Sequence, residues 1–75
     1  MSTMHVLDSG GDTKIMWDRD NRDEVNSARE HFKELRKKQY LAFKAEGREG
    51  TRGSQITEFD PDLERIIMVP RSVGG

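Results

Sequence analysis

Hydrophobic and polar positions along this chain follow two different periods. Short apolar runs at residues 4–8 and 13–17 flank a polar segment at residues 9–12, which contains two glycines. Glycine readily adopts the positive φ angles that a tight reversal needs. The first part of the chain therefore predicts a β-hairpin.

A helical period follows the hairpin. Apolar residues recur at spacings of three, four and three: Val25, Ala28, Phe32 and Leu35. This single apolar stripe predicts a helix over residues 22–38. Asn21 with Glu24 fits a capping box at its start, and Asp20 with Asp23 offers a second frame for the same cap.

Three further strands are predicted after the helix, at residues 40–45, 54–59 and 65–69, and Pro70 ends the last one. The element order is thus β-β-α-β-β-β. A helix with one apolar stripe must pack on one face of a sheet. We therefore predict an α+β fold, a single two-layer domain with a mixed or antiparallel sheet and the helix on one face.

The apolar positions divide into a core and a remainder. The expected core consists of Val6, Ile15, Trp17, Val25, Phe32, Leu35, Leu41, Phe43, Ile56, Ile67 and Val69. In the last strand Ile66 and Met68 would fill the core equally well, so the parity of that strand stays open. The remaining apolar residues form a candidate partner surface on the uncovered sheet face: Leu7, Met16, Ala42, Ile66 and Met68. Exposed apolar patches often mark binding sites.

Charge is distributed unevenly over the 75 residues. The net charge is −1, yet residues 29–52 carry eight basic and four acidic side chains. The candidate anion contacts in this region are Lys37, Lys38, Arg48 and Arg52. The glycine-rich segment 47–53 lacks the lysine and hydroxyl residue of a phosphate loop, and its simpler interpretation is a charged hairpin tip. A neutral chain with few aromatic residues does not predict a nucleic-acid partner.

Catalytic and metal-binding patterns are not evident. The acidic run at residues 18–24 has Asp23 where a calcium loop needs glycine, and Arg29 where it needs glutamate. The two histidines lie on different predicted elements, and the chain has no cysteine. We predict no enzyme activity, no metal and no cofactor. No signal peptide and no apolar run of about 20 residues is present, so we expect a soluble, cytoplasmic protein without a membrane anchor.

The element order, followed by Gly74 and Gly75, resembles the ubiquitin-like β-grasp family. The resemblance implies a domain at residues 1–70 and a flexible C-terminal tail at 71–75. It implies a diglycine carboxylate that is adenylated by an activating enzyme, then conjugated to lysine or converted to a thiocarboxylate. Gly74 and Gly75 would be the conjugation residues, and Arg71 and Val73 would guide docking of the tail.

The sequence is therefore compatible with two functions. The first is a ubiquitin-like protein modifier or sulfur carrier that acts through its Gly-Gly carboxylate. The second is a small non-catalytic protein-interaction module, or an accessory protein of a larger assembly, that binds through an apolar sheet face. The expected partner is a protein in both cases, either an activating enzyme or an assembly subunit. The pattern makes no prediction of the oligomeric state.

Overall fold

Strands and helix follow one another in the predicted order. The computed structural model describes residues 1–8, 10–46 and 51–71. The elements are β1 (Ser2–Asp8), β2 (Gly11–Trp17), α1 (Arg22–Lys37), β3 (Tyr40–Glu46), β4 (Thr51–Ile56) and β5 (Arg65–Pro70).

The strands form one five-stranded sheet in the order β2-β1-β5-β3-β4. The β1–β5 pair is parallel, and the other three pairs are antiparallel. The first and last strands therefore lie side by side near the middle, with β2 on one side of them and the β3–β4 pair on the other. The predicted α+β class, with one helix and a mixed sheet, is confirmed.

Helix α1 begins at a capping box. The Asn21 side-chain oxygen accepts hydrogen bonds from the backbone N–H groups of Asp23 (3.1 Å) and Glu24 (3.2 Å). The Glu24 carboxylate in turn accepts from the Asn21 amide (3.0 Å) and from the Asp18 N–H (2.9 Å). The Asn21 frame is thus correct and the Asp20 frame is wrong, because Asn21 satisfies the N–H groups that the first turn leaves without helical partners.

The core lies between α1 and one face of the sheet. Its buried apolar residues are Met4, Val6, Trp17, Val25, Ala28, Phe32, Ala42, Ile66 and Met68. The Trp17 ring is fully buried, and its Nε1–H donates to the Pro61 carbonyl at 3.1 Å. The Phe59 ring packs between Trp17 and Phe32, with centroid distances of 5.1 and 5.7 Å. The segment after β4 therefore closes one end of the core.

The faces of β3 and β5 differ from the core residues named from the sequence, and the parity of β5, left open there, is now decided. Leu41, Phe43, Ile67 and Val69 lie on the sheet face away from α1. Trp17 requires burial and pairs with Ser2, so Met4 and Val6 share its face. Parallel pairing then brings Ile66 and Met68 to that face, and Met68 pairs with Ala42. The register that buries the indole thus decides the parity of the central strands.

The position of one strand is also wrong at both ends. We predicted a strand at residues 54–59, but β4 spans Thr51–Ile56. A bulge interrupts the pairing of β4 with β3, between Phe43 and Ala45 of β3. The strand ends before Phe59 because that side chain leaves the sheet to pack against the core aromatic rings.

Candidate functional site

The sheet face turned away from α1, which we call the open face, carries a block of apolar side chains. Across β3 and β5, Leu41 pairs with Val69 and Phe43 pairs with Ile67. Leu7 continues the block on β1, where His5 pairs with Ile67. All five apolar side chains are half-buried, because neighbouring strands shield one another on a flat sheet.

The open face is not part of the core. The partly buried residues that pack against the core, which include Leu35, Phe59 and Leu63, lie on the helix side or in the segment after β4. In the part of the chain that the structure describes, α1 is the only helix, and it packs on the opposite face. The open face is therefore presented to solvent.

Charged groups border the apolar block on the β1–β2 side. His5 pairs with Lys14 across the hairpin, and Arg65 pairs with Thr3. Partial burial lowers the pKa of His5 below its usual 6.5, and the positive charges of Lys14 and Arg65 lower it further. Asp12 acts in the opposite direction. The edge of the open face is thus moderately basic.

The candidate partner surface from the sequence is only partly correct. Leu7 lies on the open face, and so does Met16, which is 56% exposed. Ala42, Ile66 and Met68 are fully buried beneath α1, so their assignment to a partner surface is wrong. The same register that placed them in the core exposes their neighbours in sequence.

The proposed tail lies largely beyond what the structure describes. Arg71 is exposed directly after β5. Val73, Gly74 and Gly75 lie outside the described residues, so the tail docking and conjugation roles stay predictions.

The candidate anion contacts are also divided. Lys37 and Lys38 are exposed at the end of α1. Arg48 lies outside the described residues, as does the side chain of Arg52, so the predicted cluster is not tested as a whole.

A groove, which we call the basic groove, lies between α1 and the segment after β4 and forms a second candidate surface. It encloses about 640 Å³ and is lined by Arg29, Phe32, Lys33, Arg36, Lys37, Thr57, Glu58 and Phe59. Of these residues only Lys37 was among the candidate anion contacts, and Phe32 was predicted as a core residue. The cations at positions 29, 33, 36 and 37 follow helical spacing, so the sequence could have predicted that they lie on one side of α1. The wall at residues 57–59 was not, because those residues were assigned to a strand.

Neither a metal-binding cluster nor a membrane-spanning helix is found in the part of the chain that the structure describes. Within residues 1–8, 10–46 and 51–71, no three His, Asp or Glu side chains are grouped to hold a metal ion. The one helix described is too short and too polar to cross a bilayer.

Comparison with protein-family models, curated proteins and solved structures finds no match for this chain. Its function must therefore be argued from the two surfaces.

Proposed function

We propose that this protein is a small non-catalytic interaction module whose open face binds a partner protein. The observation that carries the proposal is the apolar block on β5 and β3, which lies opposite the helix and outside the core. Continuous apolar surface of this kind is a common mark of protein-binding sites.

The chemistry of the partner follows from the border of this face. Beside His5, Lys14 and Arg65 provide two positive charges and Asp12 provides one carboxylate. A complementary partner has an apolar centre with carboxylates on the side that meets β1 and β2. Such charges guide encounter and orientation more than they raise affinity.

The size of the open face sets the expected affinity. Five strands about 4.8 Å apart, each about six residues long, span roughly 20 by 20 Å, or about 400 Å² on each partner. Interfaces below about 1,200 Å² in total belong to weak or transient complexes. We therefore expect a dissociation constant in the micromolar range.

The experiment places a photo-crosslinking amino acid at Val69 on the open face, with the same amino acid at Ser27, an exposed residue of α1 outside the basic groove, as control. We expect a crosslink from position 69 to an identified protein, at a segment that is apolar and carries carboxylates. The purified partner should bind the protein in calorimetry, and Ile67→Ser should weaken that binding about tenfold or more. Crosslinks of equal yield at both positions, or unchanged binding by Ile67→Ser, would refute the proposal.

A β-grasp fold and a modifier role form the second candidate. We infer it from the β-β-α-β-β-β order, the parallel pairing of β1 with β5, and the exposed Arg71 that precedes Gly74 and Gly75. In this role the Gly75 carboxylate is adenylated by an activating enzyme. Its acyl group then forms an isopeptide bond with a lysine amine by way of an enzyme thioester, or takes up sulfur from a sulfur donor as a thiocarboxylate, and AMP is released.

This second candidate has a separate test. Intact-mass spectrometry of the protein from its native cells should reveal an isopeptide conjugate or a thiocarboxylate, and deletion of Gly75 should remove the adduct. The deletion should leave thermal unfolding unchanged. If no adduct is found on the protein that retains Gly75, the modifier role is refuted, and the open-face proposal is unaffected.

A further inference from the structure

The basic groove has one wall made of cations. Arg29, Lys33 and Lys37 are spaced four residues apart along α1, and Arg36, three residues after Lys33, also lines the groove. Residues at this spacing are neighbours on a helix surface. The positive charges are therefore concentrated along a single wall and are not spread around the helix.

The floor of the basic groove is aromatic. Phe59 is half-buried, and the Arg29 guanidinium lies 5.7 Å from the centre of its ring. Phe32, which is almost fully buried, supports Phe59 from below. Arg36 donates one hydrogen bond to the Tyr40 carbonyl at 2.9 Å, which holds its side chain near the groove and leaves further N–H donors. The groove thus combines an apolar floor with positioned donors.

Among the described residues that line the basic groove, positive charges outnumber negative ones. Four cations face one lining carboxylate, Glu58. Lys37 forms an ion pair with Glu34 at 3.7 Å, and both of these side chains are more than 60% exposed. Exposed pairs of this kind are weak and exchange readily. The groove therefore keeps a net positive charge that an anionic ligand would neutralise.

We propose that the basic groove is a second binding site, separate from the open face, and that it takes an acidic segment of a partner protein. An apolar side chain of that segment packs against Phe59, while flanking carboxylates meet Lys33, Arg36 and Lys37. Arginine is suited to such contacts because its planar fork binds carboxylates with two hydrogen bonds. A volume near 640 Å³ accommodates a short segment of this kind.

A protein segment fits this groove better than a nucleic acid does. The whole chain carries a net charge of −1, and Glu30 and Glu34 lie along the same helix. A polynucleotide would extend past the groove and meet these carboxylates, whereas an acidic segment confines its charge to a few residues. Phe32 is also too buried to offer a face for base stacking.

The probe is a fluorescein-labelled peptide in which glutamates flank a central leucine, followed by fluorescence anisotropy. Two control peptides replace the glutamates by glutamines or the leucine by serine. Lys33→Glu/Lys37→Glu reverses two groove charges. Arg19→Glu/Lys38→Glu gives the same change in net charge at exposed positions outside the groove, and circular dichroism verifies that both variants fold.

We expect the acidic peptide to bind the wild type and to bind Lys33→Glu/Lys37→Glu about tenfold more weakly, with little change for Arg19→Glu/Lys38→Glu. Both control peptides should bind more weakly than the probe. Added salt should weaken the binding of the probe itself. When the peptide is added, changes in the backbone amide chemical shifts should be concentrated at residues 29–37 and 57–59. Ile67→Ser should bind the peptide like the wild type, which separates this site from the open face.

Four results would overturn the proposal. The first is no binding of the probe. The second is equal loss in both double variants, which would indicate nonspecific attraction. The third is equal binding of the peptide that lacks leucine, since the floor would then play no part. The fourth is tighter binding of a labelled single-stranded RNA that is lost in Lys33→Glu/Lys37→Glu, which would assign the groove to nucleic acid.

Discussion

Two adjacent isoleucines on β5 give the most direct test of how the sheet is oriented. Ile66 is fully buried beneath α1, and Ile67 lies half-buried on the open face. The residue type and the strand are the same, and only the face differs. Substituting each by alanine therefore compares the two faces with the chemistry held constant.

The two substitutions should differ severalfold in cost. Removing three carbons from Ile66 loses the burial energy of those groups and leaves a cavity, for a total of about 3–4 kcal/mol. At Ile67 water fills the space and no cavity forms, so we expect about 1 kcal/mol. A chain of 75 residues has roughly 4–11 kcal/mol of stability, so Ile66→Ala will leave the fold barely stable.

Urea denaturation followed by circular dichroism measures both effects. A milder pair keeps the comparison valid if Ile66→Ala does not fold. Ile66→Val should cost about 1 kcal/mol, and Ile67→Val less than about 0.5 kcal/mol. Equal costs at the two positions, or a larger cost at Ile67, would show that the face assignment is wrong, and the open-face proposal would fall with it.

Further predictions concern the cap, the indole and the histidine. Trp17→Phe should cost about 2 kcal/mol in urea denaturation followed by circular dichroism, from the lost hydrogen bond to Pro61 and a smaller ring; a cost below about 0.5 kcal/mol would contradict this packing. Asn21→Ala should lower the unfolding free energy by about 1 kcal/mol by the same measurement, and an unchanged value would exclude the cap. His5 has a lowered pKa in the folded state, so the unfolded chain binds more protons and stability falls as the pH drops through about 6.5. His5→Gln should reduce the loss of thermal stability between about pH 7.5 and 5.5, and an equal loss in the variant would contradict the shift.

The sequence predicted the elements well because their signals are local. The apolar stripe that ends at Leu35 defined α1, and Asn21 with Glu24 marked its start. The face of each central strand was less accessible. In β5 both parities are apolar, so alternation alone does not distinguish Ile66 from Ile67. In β3 alternation favoured the parity of Phe43, whereas Ala42 is the buried residue. Long-range pairing with β1 decides the face, and no local pattern encodes it.

The candidate surfaces follow the same division. The sequence placed Leu7 and Met16 on the open face because residues alternate clearly between the two faces of their hairpin. Leu41 and Val69 were missed there because they were assigned to the core. The basic groove needs both the helix and the path of the chain at Phe59, and that path depends on where the aromatic side chain packs.

The parallel pairing of β1 with β5 has a consequence for how the chain is divided and made. Thr3 pairs with Arg65, so strands from opposite parts of the sequence are adjacent in the sheet. A fragment that lacks β5 leaves two hairpins with no strand between them, and we expect it to stay unfolded until a peptide containing residues 65–70 is added. Such fragment complementation would turn the fold into a two-part reporter. On the ribosome, the same arrangement delays folding until β5 has emerged from the exit tunnel.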